Sequence, residues 1–438
     1  MNNIQIGLIG FGNIGAGVVK LLSENADVIR SKVGAGIILK RIADLDITTD
    51  RGVAVPDGVL TTDANDIFTD PDISVVIELI GGYEPAKSFV LRAIESGKHI
   101  VTANKALLAL HGEEIYAAAA RKGVEVQFEA SVGGGIPVLT AIKGNLAANR
   151  FGSVFGIMNG TCNYILTRMT QEGADFSAVL ADATRLGYAE PDPTFDIEGI
   201  DTAHKLAVLV SLCFGTRIDF NGIFTEGITR ISSLDVKFAH EFGYRIKLLA
   251  IGKLTDGQVE ARVHPTMIPL HNPLADVNGV FNAIRLTGDF VGPVMFYGRG
   301  AGQNPTASAI VGDLIGLART MQAGAGRRMA PLGFVDASVT ALPLKPMADI
   351  VSNYMLRFSA LDKPGVLASI AGALGRHGIS IESMVQTAHQ EHDTAPVPIV
   401  IKTHEAREGA IQAALQEIDR LDIICEKTVF IRIEDNLE

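Results

Sequence analysis

Residues 4–25 read IQIGLIGFGNIGAGVVKLLSEN. The stretch opens strand-like and closes helical, with a glycine-rich turn between. That turn is Gly10, Phe11, Gly12, Asn13, Ile14 and Gly15, a GxGxxG pattern. The pattern is weak alone, but here it follows a strand and opens a helix, the context its mechanism requires. The first glycine permits the tight turn. The second lets the backbone approach a pyrophosphate, which sits on the helix N-terminus. The competing reading is a turn with packing duty only.

The surroundings support a sheet built on this unit. IILKRIAD (37–44), VVIELIGG (75–82), HIVTAN (99–104) and VEVQFEA (124–130) read as strands. PAKSFVLRAIESG (85–97) and KALLALHGEEIYAAAARKG (105–123) read as helices. Strands alternating with helices at this spacing predict a doubly wound parallel sheet over residues 1–134. Residues 135–320 mix long helices with strand signals such as EARVHPTMI and PVMFYGRG, which predicts an α+β domain on a mostly antiparallel sheet. Such sheets often offer one face to a second subunit. Residues 321–350 carry three prolines and little periodicity, and read as a linker. From 351 to 438 the order β-α-β-β-α-β gives a ferredoxin-like unit. The fold class is therefore α/β: a Rossmann-type domain, an α+β catalytic and oligomerisation domain, and a ferredoxin-like C-terminal domain.

Composition narrows the function. The chain has 438 residues and a net charge of −11, with 47% hydrophobic residues. No nucleic-acid or membrane partner is expected, because both require a basic face. No apolar run approaches the ~20 residues of a membrane helix. Cys162, Cys213 and Cys425 are scattered, form no CxxC pair, and fit a reducing cytoplasm. Without a secretory signal, Asn159-Gly160-Thr161 is a chance match to a glycosylation acceptor.

The chemistry concentrates in GYAEPDPTFDIEGIDTAHK (187–205). Glu190, Asp192, Asp196, Glu198 and Asp201 crowd together, Lys205 closes the stretch, and the apolar LAVLVSLCF follows. Asp201 and Lys205 are i,i+4 and share a helix face. A surface ion pair there would be worth little. The apolar continuation argues for burial instead, as a pocket wall holding a cation beside a proton-transferring amine. Lys105 follows the strand HIVTAN, at the strand ends where open α/β sheets bind ligands, with Thr102 and Ala103 lining the same crevice. At the end of the second strand, Asp44 suits a ribose hydroxyl (NAD) and Arg41 suits a 2′-phosphate (NADP), which leaves the cofactor choice open. The glycines at 133–135 expose carbonyls suited to a hard cation, or form a hinge. Residues 298–302 (GRGAG) offer a second approach to the cofactor or simply begin a helix.

Together GLIGFGNIG, VTANKALLA, FEASVGGGIP, GIMNGTCNYILTRM, GYAEPDPTFDIEGIDTAHKLAVL, GRGAGQNPTASAIVGDL and DKPGVL resemble the homoserine dehydrogenase family, in its single-function form with a C-terminal ACT domain. The resemblance covers essentially the whole chain. It implies interconversion of L-aspartate 4-semialdehyde and L-homoserine with NAD or NADP, on the route to threonine, methionine and isoleucine. It makes Lys205 the proton donor to the carbonyl oxygen, with Lys105 and Asp201 completing the catalytic set. Glu190, Asp196 and Asp201 would bind substrate. Gly10, Phe11, Gly12, Asn13, Ile14, Gly15, Ala103, Lys105, Gly187 and Gly302 would contact the cofactor. Glu129, Val132, Gly134 and Ile136 would hold a monovalent cation, Na+ or K+, mostly through carbonyl oxygens. L-Threonine is the expected effector of the ACT domain, at residues 362–365 and 378–380. A homodimer or homotetramer is the expected assembly.

Charge builds on the carbonyl oxygen as hydride reaches an aldehyde, and a nearby ammonium can stabilise that charge and then release its proton. In the reverse direction the lysine must be neutral, so homoserine oxidation should favour alkaline pH. A chain ending near Ala348 should stay active and lose threonine sensitivity. Two other readings compete. One is an amino-acid-sensing protein with an inactive dehydrogenase core, which the intact Lys105, Asp201 and Lys205 oppose. The other is a semialdehyde dehydrogenase working through a thiohemiacetal, for which Cys162 is the cysteine to inspect.

Overall fold

The computed structural model describes residues 3–325, 329–386 and 396–437. Six parallel strands form the first sheet: β1 (Ile4–Ile9), β2 (Ile37–Ala43), β3 (Leu60–Thr61), β4 (Ile73–Glu78), β5 (His99–Thr102) and β6 (Val126–Gln127). Their order is β3-β2-β1-β4-β5-β6, the doubly wound arrangement, and the crevice at its switch point opens between β1 and β4. The central strands are apolar on both faces because helices cover both. Ile6, Leu8, Val75 and Ile77 enter one core, while Ile9, Val76 and Ile100 enter the other.

The helix Gln303–Gln322, which the sequence groups with the second domain, packs on the first. Its Ala307, Ile310, Val311 and Leu314 share a core with Ile4 and Leu8. Gly17 makes the approach possible, since a Cβ there would lie 2.7 Å from the Gln303 side chain.

The second sheet carries β7 (Phe151–Ile157), β8 (Phe224–Thr225), β9 (Tyr244–Thr255), β10 (Gln258–Pro269), β11 (Phe281–Gly288) and β12 (Gly292–Arg299). It is antiparallel from β12 through β11, β7 and β9 to β10. The β9–β10 hairpin turns at Asp256 and Gly257, both with positive φ, which suits the twist of the two strands. The helix Ile200–Phe214 lies on this sheet. Gly252 admits it, with Val210 2.8 Å from where a Cβ would stand.

The C-terminal domain contributes β13 (Val351–Ala360), β14 (Ile381–Gln386), β15 (Val397–Thr403), β16 (Ala406–Arg407) and β17 (Ile424–Ile433), with helices Val366–Arg376 and Glu408–Ile418 on one face. The β14 segment reads as a strand to residue 388 in the sequence; 387 and 388 lie outside the described residues. The order β17-β13-β15-β14 is ferredoxin-like.

This domain is not a separate body on a tether. β17 pairs in parallel with β10 through Thr266 and Met267, making one continuous sheet of eleven strands. Charged contacts reinforce the seam. Glu434 accepts from Lys253 at 2.5 Å and Arg262 at 2.9 Å, and Arg357 donates to Asp235 at 2.5 Å. Tyr244 donates to Asp435 at 2.7 Å. The prolines of the expected linker do not leave it free either. Thr340 bonds Gly215 and Arg217, and residues 343–345 bond both ways with Val259. Residues 326–328 of that segment lie outside the described residues. No helix among the described residues is long and apolar enough to cross a membrane.

Candidate active site

The glycine turn is built as its spacing requires. Gly10 has φ +98°, and a Cβ there would lie 2.7 Å from the backbone of Leu79. A Cβ on Gly15 would meet the Gly10 carbonyl at 2.4 Å. Gly12 faces open space and starts the helix Asn13–Glu24, which has no side-chain cap. Its first N–H groups are therefore left for an external acceptor, and a dinucleotide pyrophosphate fits that cradle. Asp44, at the tip of β2, accepts from the Phe11 amide at 2.5 Å and from the Asp46 amide at 2.9 Å. Arg41 donates to the Lys40 carbonyl at 2.9 Å. Asp44 is thus tied into the loop, while Arg41 lies on β2 beside Gly7 of β1.

Ile14 of this turn lines the cleft together with Leu79, Tyr83, Ala103, Lys105 and Phe195. Lys105 is the first residue of the helix Lys105–Lys122. Asn104 caps that helix through the Leu107 amide at 3.0 Å, and its own amide donates to Gly82 at 2.8 Å. The cap fixes where the lysine stem leaves the backbone.

The Asp201–Lys205 pair lies across the cleft. Gly199, at φ +80°, begins the helix Ile200–Phe214, which is buried on nearly every side. Asp201 sits in its first turn, a favourable place for an anion. Its two oxygens face two lysines from different domains: Lys205 at 2.6 Å and Lys105 at 3.2 Å. Lys205 also donates to the Met158 carbonyl at 2.7 Å. The Asn159 amide bridges Asp196 at 2.7 Å and Asp201 at 3.0 Å, while its oxygen caps the helix Gly160–Glu172 at the Cys162 amide. The Thr161 hydroxyl donates to the Tyr188 carbonyl at 2.6 Å and lies 3.2 Å from the Asp196 carboxyl.

Burial raises the Asp201 carboxyl, but the charges of Lys205 and Lys105 and the bonds from Lys205 and Asn159 overcome it, holding Asp201 well below the ordinary carboxylate range. Asp196 goes the other way: burial first, and then the Asp201 charge, push it up. Two carboxylates five residues apart are thereby given different protonation tendencies.

The remaining expected residues divide. Glu190 is exposed, and its side chain bonds none of this group. Gly187 follows the helix Phe176–Arg185 at φ +75°, and Gly302 precedes Gln303, whose amide donates to the Asn13 carbonyl at 3.0 Å. The two glycine-rich segments meet each other: a Cβ on Gly134 would stand 2.4 Å from the Gly300 carbonyl. The Glu129 carboxylate is committed to the start of the helix Val138–Lys143, accepting from Leu139 at 2.8 Å and Thr140 at 2.6 Å. A cation here would therefore meet the Glu129 backbone oxygen. The Val132 and Gly134 carbonyls accept no hydrogen bond among the described residues, while those of Glu129, Gly133 and Ile136 do. No cluster of three His, Cys, Asp or Glu suited to a metal occurs among the described residues.

Cys162 is fully buried and bonded to the Asp196 carbonyl at 3.2 Å. Burial, then the Asp196 and Asp201 charges, hold it as a thiol, which opposes its use as a nucleophile. Sequence reasoning missed Asn159, Thr161 and the Met158 carbonyl as parts of the site, although the NGT pattern had drawn attention to two of them. It also missed His204. That ring bonds Ile200 at 3.0 Å, stacks on Phe220 at 4.2 Å, and reaches Tyr83 of the first domain at 3.4 Å.

Comparison with known proteins agrees along the chain. A family model described as the NAD-binding domain of homoserine dehydrogenase matches residues 10–129. One described as homoserine dehydrogenase matches 137–315, and one described as ACT domain matches 354–422. The chain is 45% identical over 436 residues to a homoserine dehydrogenase of Pseudomonas aeruginosa, covering 99% of each. It is 45% identical over 434 residues to one of Neisseria gonorrhoeae, again covering 99% of each. The crystal structure of a homoserine dehydrogenase from Thiobacillus denitrificans superposes with a TM-score of 0.93 at 45% identity, over 99% of this chain and 98% of that one.

Proposed function

The chain belongs to the homoserine dehydrogenase family, and from that premise we propose that it interconverts L-homoserine and L-aspartate 4-semialdehyde with NAD or NADP. The observation that carries this reading is the Lys105–Asp201–Lys205 array, closed across the cleft from two domains. The dinucleotide, held by the Gly10 to Gly15 turn, supplies the hydride acceptor or donor when bound.

Lys205 moves the proton. In reduction its ammonium donates to the carbonyl oxygen as charge develops there; in oxidation its amine accepts the hydroxyl proton. Lys105 adds a second positive charge at that oxygen. Asp201 orients both lysines and, with Asp196 and Glu190, receives the substrate ammonium, because a buried cation requires partners. Glu190 meets the others only if its loop closes over the ligand. Oxidation releases one proton for each hydride transferred, so it should be favoured as pH rises.

Na+ or K+ would sit on the open carbonyls of Val132 and Gly134, with Glu129 and Ile136 contributing backbone oxygens. L-Threonine would inhibit through the ACT domain, where Gly365 makes the strand-to-helix turn at φ +90°. The reaction would serve threonine, methionine and isoleucine synthesis in the cytoplasm. A homodimer or homotetramer would cover the exposed Phe290, Met295 and Tyr297 at the β12 edge. Domain limits at about residues 134, 320 and 350 remain part of this proposal. The test follows absorbance of the reduced nicotinamide with homoserine, using NAD and NADP in parallel, with and without threonine. Homoserine-dependent reduction is expected with at least one cofactor, faster at alkaline pH, and slowed by threonine. No reduction with either, or an acidic optimum for oxidation, refutes the catalytic reading; indifference to threonine refutes the effector assignment alone.

A further inference from the structure

Arg432, on β17, is 2% exposed, yet it faces two carboxylates. Nε and Nη2 form a fork on Glu408 at 3.0 and 2.7 Å, within the C-terminal domain. Nη1 crosses the seam and donates to Glu226 at 2.7 Å. Phe224 and Phe430 flank the guanidinium at 4.9 and 5.0 Å. A planar fork held on two acids and two rings has little freedom, so it fixes Glu226 relative to the C-terminal domain.

The residues after Glu226 lie directly behind the substrate side of the cleft. The Ile228 amide donates to the Ile197 carbonyl at 2.8 Å. Thr229 donates to Glu198 at 3.2 Å. At Gly227 a Cβ would come within 2.2 Å of the Ile197 oxygen and 2.5 Å of the Glu198 Cα, so the two segments touch backbone to backbone. Asp196 immediately precedes Ile197, and through Asn159 it joins Asp201 and Lys205.

We propose that Arg432 and Glu226 are positioning residues of the substrate site. They hold the Thr194–Ile197 turn, and with it Asp196, in register with Asn159 and Asp201. The proposal rests on the homoserine reading above and adds that the last strand of the C-terminal domain shapes substrate binding even with no effector bound.

The test is steady-state oxidation of homoserine by the full chain. Glu226→Ala should raise the homoserine KM about tenfold, the scale of one charged hydrogen bond. The dinucleotide KM should stay within about twofold, because the path leads to Asp196 and not to the glycine turn. Glu226→Gln, which keeps an acceptor, should recover most of the loss. Arg432→Lys, which keeps charge but loses the fork, should show the same split; if either variant fails to accumulate, the other carries the test. In an Asp196→Asn background, Glu226→Ala should add no further rise. An unchanged homoserine KM in the Glu226 and Arg432 variants overturns the positioning role alone, as does an equal rise in both KM values or a full additional rise over Asp196→Asn. Absence of homoserine oxidation by the unaltered protein overturns the functional reading and this proposal with it.

Discussion

Replacing Glu434 by Ala probes whether the C-terminal domain is fused to the catalytic sheet. Glu434 accepts from Lys253 at 2.5 Å and Arg262 at 2.9 Å across the seam. The two donors would suffer unequally. The Lys253 side chain is 24% exposed and can turn to water, whereas that of Arg262 is 3% exposed and cannot. Arg262 retains His264 at 2.8 Å and Glu260 at 3.7 Å. Burial, with the charges of Arg432 and Arg262, keeps His264 neutral, so it offers an acceptor without charge. Removing one partner of a buried ion pair costs about 3–5 kcal/mol, and the residual partners favour the lower end. With an unfolding entropy of about 2 cal/mol/K per residue, a cooperative chain of this length should lose about 3–4 °C in Tm. Glu434→Gln should lose less, because the amide oxygen still accepts. The assay is thermal unfolding of both variants by calorimetry. A Tm within about 1 °C of the unaltered protein for Glu434→Ala would show that the seam contacts carry no weight and refute the reasoning.

Other outcomes follow from the same geometry. A chain ending near Ala348 leaves Arg262, Glu226 and the β10 edge uncovered. Against the earlier expectation, it should therefore accumulate poorly or lose most activity, as expression and specific activity would show; full activity with an unchanged Tm would restore the picture of a detachable module. Asn159→Ala removes a helix cap worth about 1 kcal/mol and the bridge between Asp196 and Asp201. The homoserine kcat/KM should fall at least about tenfold with only a small Tm change, and steady-state kinetics beside a melting curve would check it. Asp313 is raised by burial to about 7. Its folded pKa lies above the unfolded value, so its stabilisation is full below about pH 4 and lost as pH rises through about 7. Asp313→Asn should weaken the fall in denaturant-measured stability between about pH 5 and about pH 8, by up to about 3 kcal/mol.

What the sequence made legible follows from locality. The Gly10 to Gly15 turn was readable because positive φ and close backbone contact leave glycine as the residue that fits. The Asp201–Lys205 pair was readable from i,i+4 spacing and the apolar helix beyond it. The contact of Lys105 with Asp201 was not readable from spacing, because it depends on how two domains meet; the family resemblance alone set Lys105, Asp201 and Lys205 together. Asn159 was concealed for a related reason: its importance lies in bridging Asp196 and Asp201, both far along the chain. The segment at 340–345 looked like a linker because prolines and irregular spacing hide single backbone bonds to Gly215 and Val259. The return of the helix Gln303–Gln322 to the first domain was equally hidden, since an apolar stripe specifies burial but not against what.

The central claim is that Lys205 moves the proton, and Lys205→Met tests it most directly. The substitution keeps the stem and volume of the side chain while removing the amine. With saturating homoserine and dinucleotide, the account predicts a kcat about a hundredfold or more below that of the unaltered protein. The dinucleotide KM should be little changed, because the glycine turn is untouched. A Lys205→Met protein that keeps more than about a tenth of the original kcat would contradict the account.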